Sequence, residues 1–231
     1  MANRPAAPPA DGDPARWRML ALLAAAELLG MSLWFTASAV SPRLQEMWSL
    51  TPGQAGWLTG AVQLGFVAGT ALAALLNLAD LVPARTYFAV SALLAAAANA
   101  GLVLADGFGA AVALRFATGL LLAGVYPPAM KMVATWFRSA RGLAIGTVVG
   151  ALTVGKALPY LLRAVDGLPW QGVVLAASAG ALAAAALVAA FYRDGPFPFA
   201  RRPFSWSLIG SITRDRPTRL AIGGYLGHMW E

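Results

Sequence analysis

Residues 114–146 read LRFATGLLLAGVYPPAMKMVATWFRSARGLAIG, an apolar stretch that holds a charge towards each end. Arg115 stands near its start, and Lys131 follows a pair of prolines. A charged side chain inside hydrocarbon is costly, so it persists mainly where it faces the interior of a helix bundle or a water-filled path. The stretch therefore predicts a membrane-spanning helix with a functional charge.

The composition of the whole chain is typical of a membrane protein. Hydrophobic residues make up 59% of the 231 residues, and charged residues make up 12%. The net charge of +7 could indicate nucleic-acid binding, but the basic residues lie in short connections between apolar runs, so we expect no nucleic-acid partner. The chain has no cysteine and a single histidine, His228. We therefore predict no metal site and no cofactor.

Six apolar runs of about 20 residues each are long enough to cross roughly 30 Å of hydrocarbon as helices. These runs cover residues 17–40, 55–78, 86–104, 109–133, 141–162 and 170–192. A seventh run begins near Leu220 and ends at Glu231, which is too short to span. We predict an all-α membrane protein, a six-helix bundle truncated in helix 7 over residues 220–231. A cleaved signal peptide is the alternative for the first run, but that run is long and carries Glu27.

The arginines predict the orientation of the bundle. One side of the membrane has Arg43 and Arg163, and the other side has Arg4, Arg16, Arg18, Arg85, Arg138, Arg141, Arg193, Arg201, Arg202, Arg214, Arg216 and Arg219. Because cytoplasmic loops are enriched in Lys and Arg, the second side is predicted to be cytoplasmic. Residues 1–16, rich in Pro and Ala, are then a disordered cytoplasmic N-terminus. We expect an integral protein of a bacterial inner membrane.

An internal repeat relates the two halves of the bundle. A shift of 86 residues lays Gly56, Gly60, Val62, Gly69, Asp80 and Pro83 over Gly142, Gly146, Val148, Gly155, Asp166 and Pro169. The shift covers an odd number of spans, so the repeats, residues 17–104 and 109–192, have opposite orientations in the membrane. Inverted three-plus-three repeats are a building plan of secondary transporters.

Small residues and prolines indicate where these helices pack closely or bend. Glycines four residues apart place small side chains on one helix face, which lets neighbouring backbones approach. Pro127, Pro128 and Pro159 free backbone carbonyls inside or near spans, and such breaks often lie where a helix bends. Ordinary packing without motion is the alternative reading. The predicted packing or hinge positions are Gly56, Gly60, Gly69, Gly119, Gly142, Gly146, Gly150, Gly155 and Pro159.

Three charges are expected in the middle third of the membrane. At 1.5 Å per residue from the nearest connection, Glu27 lies about 14 Å, Arg115 about 20 Å and Lys156 about 22 Å from the cytoplasmic edge. Lys131 is expected to reach the cytoplasmic headgroups instead, because Trp136 follows closely. Glu27 should either pair with one of the two cations or carry a proton. Both states suit proton coupling, and purely structural pairing is an equal rival.

The segments LRFATG (114–119), AGVYPP (123–128) and ATWF (134–137), with Lys131 between them, resemble the fourth span of major facilitator superfamily transporters. The likeness is greatest to the nitrate/nitrite and cyanate permease branches. Arg115 and Gly119 match the family's conserved arginine and glycine, and that arginine is associated with proton transfer. Asp80 and Arg85 match the loop that gates the cytoplasmic side.

This resemblance implies the N-terminal six-helix half, residues 17–192, of a twelve-helix carrier. Residues 193–219 would be the central cytoplasmic loop, and the C-terminal half would be a missing partner. We expect a secondary transporter of a small anionic or zwitterionic solute, coupled to protons and working by alternating access. The alternatives are a non-transporting six-span partner or assembly factor and an intramembrane enzyme. The chain lacks the Gly-x-Ser-Gly and His-Glu-x-x-His motifs of the enzyme class.

Overall fold

The computed structural model describes residues 13–199, 210 and 214–230. The chain divides into two compact units, residues 1–200 and residues 201–231. All regular structure among the described residues is helical. The predicted disordered tail covers residues 1–16, and residues 1–12 of it lie outside the described residues. The first helix begins at Ala15, two residues before the predicted start of the first span.

Six helices of the first unit are long and apolar enough to cross a membrane, which confirms the predicted six-span bundle. They are span 1 (Ala15–Trp48), span 2 (Pro52–Leu75), span 3 (Ala84–Leu104), span 4 (Phe108–Ala134), span 5 (Arg141–Arg163) and span 6 (Trp170–Phe191). Span 1 continues to Trp48, beyond the predicted end at residue 40. The prediction ended too early because the last turns of the helix are more polar than the apolar run that defined the span.

Consecutive spans are antiparallel, so their connections alternate between two ends of the bundle. What we call the far end consists of residues 49–51, 105–107 and 164–169. What we call the basic end consists of the start of span 1 and residues 76–83, 135–140 and 192–199. Six of the nine arginines described in the first unit lie at the basic end.

Spans 1 and 4 are both interrupted near their middles. Span 4 consists of helices Phe108–Leu122 and Tyr126–Ala134, and the second helix has proline in its first turn. Proline has no N–H to continue the ladder of hydrogen bonds, so the first helix ends before it. Span 1 consists of helix Ala15–Gly30, a 3₁₀ turn and helix Thr36–Trp48. No proline lies at this break, so it must be held by contacts with other spans.

Spans 2 and 5 are continuous helices. Span 2 begins with a capping box, in which the Thr51 hydroxyl accepts from the Gln54 N–H and the Gln54 side chain accepts from the Thr51 N–H. Span 5 runs uninterrupted from Arg141 to Arg163 through the predicted hinge Pro159. Within the repeat, the broken spans 1 and 4 thus correspond to each other, as do the continuous spans 2 and 5.

The packing follows the same symmetry. Span 2 lies mainly on span 4, span 1 lies on spans 5 and 6, and span 3 lies on span 6. In the repeat, spans 1, 2 and 3 correspond to spans 4, 5 and 6. The contact between spans 2 and 4 therefore corresponds to the contact between spans 5 and 1. The arrangement is that of an inverted three-plus-three repeat.

Glycines make the closest helix contacts within these pairs. A Cβ atom at Gly65 or Gly69 of span 2 would overlap the backbone carbonyl oxygen of Phe116 or Leu120 in span 4. Gly119 of span 4 likewise faces a backbone carbonyl of span 2. In the other pair, Gly155 of span 5 faces the backbone carbonyl of Leu28 in span 1. Gly69 and Gly155, which the repeat aligns, therefore occupy equivalent close contacts.

Other predicted packing glycines do not meet a neighbouring backbone. Added Cβ atoms at Gly56, Gly142, Gly146 and Gly150 would meet no described atom within 4 Å, and one at Gly60 would meet only the ring of Trp57 at 3.5 Å. These five positions therefore make no close contact with a neighbouring helix in the described part of the bundle, and their packing role stays a prediction. Spacing by four shows that glycines share a face but not whether that face is covered. We call these two uncovered faces, on spans 2 and 5, the open glycine faces.

The second unit contains a helix from Arg216 to Trp230, which begins four residues before the predicted start at Leu220. Asp215 precedes this helix and accepts hydrogen bonds from the hydroxyl (2.5 Å) and backbone N–H (3.0 Å) of Thr218. These bonds lower the pKa of Asp215. Of the predicted central loop, residues 193–219, residues 200–209 and 211–213 lie outside the described residues.

Candidate functional site

Arg115 lies at the centre of a network around the break in span 1. Its side chain is fully buried. One guanidinium nitrogen donates to Asn99 Oδ1 at 2.9 Å, and another donates to the backbone oxygens of Leu33 at 3.0 Å and Trp34 at 2.5 Å. The two carbonyls belong to the break, where regular helical bonding stops. Arg115 therefore satisfies backbone groups that the interruption leaves without helical partners.

Asn99 extends this network to a fourth span. Its amide nitrogen donates to Ser178 Oγ at 2.9 Å and to the backbone oxygen of Val174 at 3.3 Å. Spans 1, 3, 4 and 6 are thus joined by polar contacts in the interior. Sequence reasoning missed Asn99 and Ser178. Their signal was a polar side chain within an alanine-rich run, which is weaker than a charge.

Glu27 is a buried ionisable residue of span 1. Its side chain is fully buried, and neither carboxyl oxygen has a hydrogen-bond partner among the described residues. Lys156 of span 5 is the cation that acts on it electrostatically. The two do not form an ion pair within 4.0 Å in the described structure.

Lys156 stacks on an aromatic ring beside the break. Its ammonium nitrogen lies 4.5 Å from the centroid of the Trp34 ring, within the range of a cation–π contact. Trp34 in turn meets Phe66 of span 2 edge to face at 5.1 Å between centroids. Phe35 and Tyr160 form a second ring pair at 6.3 Å. We call Lys156, Trp34 and Phe66 the cation–aromatic cluster.

The predicted trio is therefore divided into two neighbouring parts. Glu27 and Lys156 interact with each other, whereas Arg115 bonds to Asn99 and to the backbone of the break. The expectation that Glu27 could pair with Arg115 is not met, because the Arg115 donors are directed to neutral oxygens. Trp34 connects the two parts, since its carbonyl meets Arg115 and its ring meets Lys156.

The predicted gating residues lie at the basic end, and each has a separate partner. Asp80 forms an ion pair of 2.7 Å with Lys131, whose ammonium also donates to the Ala79 carbonyl at 2.5 Å. Arg85 donates to the backbone oxygen of Ala189 in span 6. The headgroup-facing role expected for Lys131 is corrected, because its ammonium is held by the span 2–span 3 connection. The partners are 51 residues apart, which sequence spacing does not reveal.

No group of three or more His, Cys, Asp or Glu side chains that could hold a metal occurs in the part of the chain that the structure describes. The charged groups of the interior are single residues on different spans. Their arrangement can bind an anion through Lys156 and can hold a proton on Glu27.

The model of the major facilitator superfamily matches residues 22–229. The chain belongs to this superfamily. A galacturonate transporter of Dickeya chrysanthemi is 27% identical over 186 residues, which are 77% of this chain and 52% of the relative. A niacin transporter of Acinetobacter baylyi is 36% identical over 91 residues, which are 38% of this chain and 20% of the relative. The chain thus spans about half the length of the galacturonate transporter.

A solved structure shows the same fold. It is a bacterial homolog of the human lysosomal transporter Spinster, in an inward-facing and unoccupied conformation. The TM-score is 0.68 with 18% identity, and the match covers 85% of this chain and 47% of the other. The family and the names of these relatives point to a transporter and away from an enzyme. The nitrate/nitrite and cyanate branch remains a prediction.

Proposed function

We propose that this chain forms the N-terminal half of a secondary transporter that moves a small organic anion or zwitterion together with protons by alternating access. The observation that carries the proposal is Lys156, stacked on Trp34 at a helix break and acting electrostatically on the buried, unpartnered Glu27. Buried ionisable groups in a membrane bundle are costly, so their retention supports a functional role.

The cation–aromatic cluster is suited to bind a solute that carries both a carboxylate and a ring. Lys156 supplies a charge for the carboxylate, and Trp34 and Phe66 supply apolar surfaces against which a ring can stack. The solutes in the names of the two relatives, galacturonate and niacin, are both carboxylates on a six-membered ring. We therefore propose a ring-bearing monocarboxylate as the solute class.

Glu27 is the proposed proton carrier. Its carboxyl group has no hydrogen-bond partner among the described residues, and the nearby Lys156 charge influences it. A solute carboxylate at Lys156 neutralises that charge and so changes the affinity of Glu27 for a proton. Solute binding and proton binding are thereby coupled through one cation.

Arg115 is proposed to be a positioning residue. Its side chain is fully buried, and its two terminal nitrogens donate to Asn99 and to the Leu33 and Trp34 carbonyls, so we assign it no direct contact with solute. Holding these carbonyls keeps the break in the shape that presents the Trp34 ring to Lys156. The arginine thus acts on solute binding through the backbone of span 1.

The basic end and the open glycine faces complete the proposal. The Asp80–Lys131 ion pair and the Arg85 contact with Ala189 would form the gate at the basic end. The open glycine faces of spans 2 and 5 would receive the missing C-terminal half, because small residues allow close helix approach. We propose that the basic end is cytoplasmic, in the inner membrane of a bacterium.

Uptake of labelled galacturonate and nicotinate into proteoliposomes that hold the intact gene product tests this function. Lys156→Gln should abolish uptake of both solutes. Glu27→Gln should retain solute exchange but lose accumulation driven by a proton gradient. Thr153→Val, one turn before Lys156 in span 5 and exposed, is the matched control and should transport as the unmodified protein does.

Two results would contradict the proposal. Full uptake by Lys156→Gln would show that Lys156 does not bind the solute. Unchanged proton-driven accumulation by Glu27→Gln would show that Glu27 does not carry the coupled proton. Absence of uptake for every carboxylate and zwitterion tried would favour the alternative of a non-transporting membrane partner.

A further inference from the structure

A cleft at the far end of the bundle contains two arginines. It has a volume of about 480 Å³. Its walls come from the far-end parts of spans 1, 5 and 6 and from the connection between spans 5 and 6. The lining residues include Val40, Arg43, Arg163, Trp170 and Gln171.

The charge of this cleft runs against the general distribution of arginine. Arg43 and Arg163 are the basic residues of the far end among those the structure describes, whereas Arg16, Arg18, Arg85, Arg138, Arg141 and Arg193 lie at the basic end. Basic residues are disfavoured in extracytoplasmic connections. That both exceptions line one cleft, although they are 120 positions apart in the sequence, requires a reason beyond solubility.

Each guanidinium retains donors for a ligand. Arg163 donates through Nη1 to the backbone oxygen of Ala39 at 3.1 Å, which orients its side chain towards span 1. Arg43 donates through Nη1 to Glu46 at 2.8 Å, and both of these side chains are more than half exposed. The remaining N–H groups of both arginines are planar donors of the kind that binds carboxylate or phosphate oxygens. Gln171 adds a neutral amide, and Trp170 adds a ring suited to a membrane interface.

We propose that this cleft binds an oxyanion, a phosphate or carboxylate group, bridged between Arg43 and Arg163. The group can come from the headgroup of an anionic phospholipid or from a free anion, since both present the same oxygens. The site is separate from Glu27 and Lys156, but it joins the far ends of the two spans that carry them. A bound oxyanion therefore also holds spans 1 and 5 together at this end.

The test uses the chain in detergent micelles and has two arms. In the lipid arm, native mass spectrometry compares retained phosphatidylglycerol with retained phosphatidylcholine. In the soluble arm, isothermal titration measures inorganic phosphate and acetate. The test variant is Arg43→Gln/Arg163→Gln, and Arg18→Gln, at an exposed arginine of the basic end, is the control for losing a positive charge elsewhere.

We expect the unmodified chain to bind at least one of these probes and the double variant to bind it at least about tenfold more weakly, as the loss of charge-assisted hydrogen bonds predicts. Arg18→Gln should bind as the unmodified chain does. Preference for phosphatidylglycerol alone identifies the lipid source, and phosphate or acetate binding identifies the free anion.

The proposal is overturned if the unmodified chain binds none of the probes, or if the double variant binds them equally well. Should the double variant unfold, Arg43→Lys/Arg163→Lys replaces it. This variant keeps both charges but loses the planar donors, so its binding should be weaker than that of the unmodified chain. Equal binding by a folded lysine variant would refute a site built on guanidinium geometry.

Discussion

Replacing Arg115 with lysine separates its charge from its hydrogen-bond geometry. Arg115→Lys keeps one positive charge, but a single ammonium cannot reach Asn99 Oδ1 and the carbonyls of Leu33 and Trp34 together. The native side chain donates three bonds, at 2.9, 3.0 and 2.5 Å. If one survives, two are lost, and at about 1.5 kcal/mol each the free energy of unfolding falls by about 3 kcal/mol. That is a large part of a total of roughly 5–15 kcal/mol.

Unfolding of the chain by dodecyl sulfate in mixed micelles, followed by far-ultraviolet circular dichroism, measures this loss. Arg18→Lys is the matched control, because Arg18 is exposed, and it should change the free energy of unfolding by less than about 0.5 kcal/mol. Arg115→Gln removes the charge and, like Arg115→Lys, cannot make all three bonds, so it should also be less stable than the unmodified chain. Reduced stability together with loss of uptake in both variants is the result that the positioning role predicts.

An unfolding midpoint of Arg115→Lys equal to that of the unmodified chain would refute this reasoning. It would mean that the break in span 1 holds its shape without the guanidinium. In that case the positioning role of Arg115 would have to be abandoned, and a direct role in the pathway would become the better explanation.

Two further predictions concern helix packing and the gate. Gly65→Ala should lower the free energy of unfolding of the chain by about 1–3 kcal/mol, because its Cβ would overlap the Phe116 backbone. A Cβ atom at Gly146 would meet no described atom within 4 Å, so Gly146→Ala should leave the free energy of unfolding unchanged or raise it by up to about 1 kcal/mol. Equal destabilisation by Gly65→Ala and Gly146→Ala would contradict the assignment of covered and uncovered faces. The side chains of Asp80 and Lys131 are 23% and 31% exposed. A double-mutant cycle with Asp80→Asn and Lys131→Gln, measured by unfolding, should give a coupling free energy of about 0.5–1 kcal/mol. This coupling should decline with added salt. A coupling of zero at low salt would show that the ion pair does not hold the gate.

The fold followed from properties of single stretches of sequence. Length and apolar composition identified six spans, and the structure confirms them. Pro127 and Pro128 indicated an irregularity in span 4, and a helix does end just before them. The break in span 1 had no such signal, because it depends on Arg115, which is more than 80 positions away in the sequence.

The site was less accessible to sequence reasoning. Depth along each helix singled out Glu27, Arg115 and Lys156, and in the structure Glu27 and Arg115 are fully buried, whereas Lys156 is only partly buried. Depth could not show that Arg115 donates hydrogen bonds to neutral oxygens, that Lys156 stacks on Trp34, or that Lys131 forms an ion pair with Asp80. Depth gives the height of a residue along the helix axis, whereas a contact also requires the direction in which the side chain points.

By itself, the sequence determined the class of this protein, its six spans, its inverted repeat and its strongly basic end. These properties depend on hydrophobicity, length and charge, which each segment carries independently of its neighbours. Only the tertiary structure decided which glycines are covered, which charges meet and which remain without a partner. The reason is that each helix can rotate about its axis, and its rotation is set by long-range backbone contacts such as those at Gly65, Gly119 and Gly155.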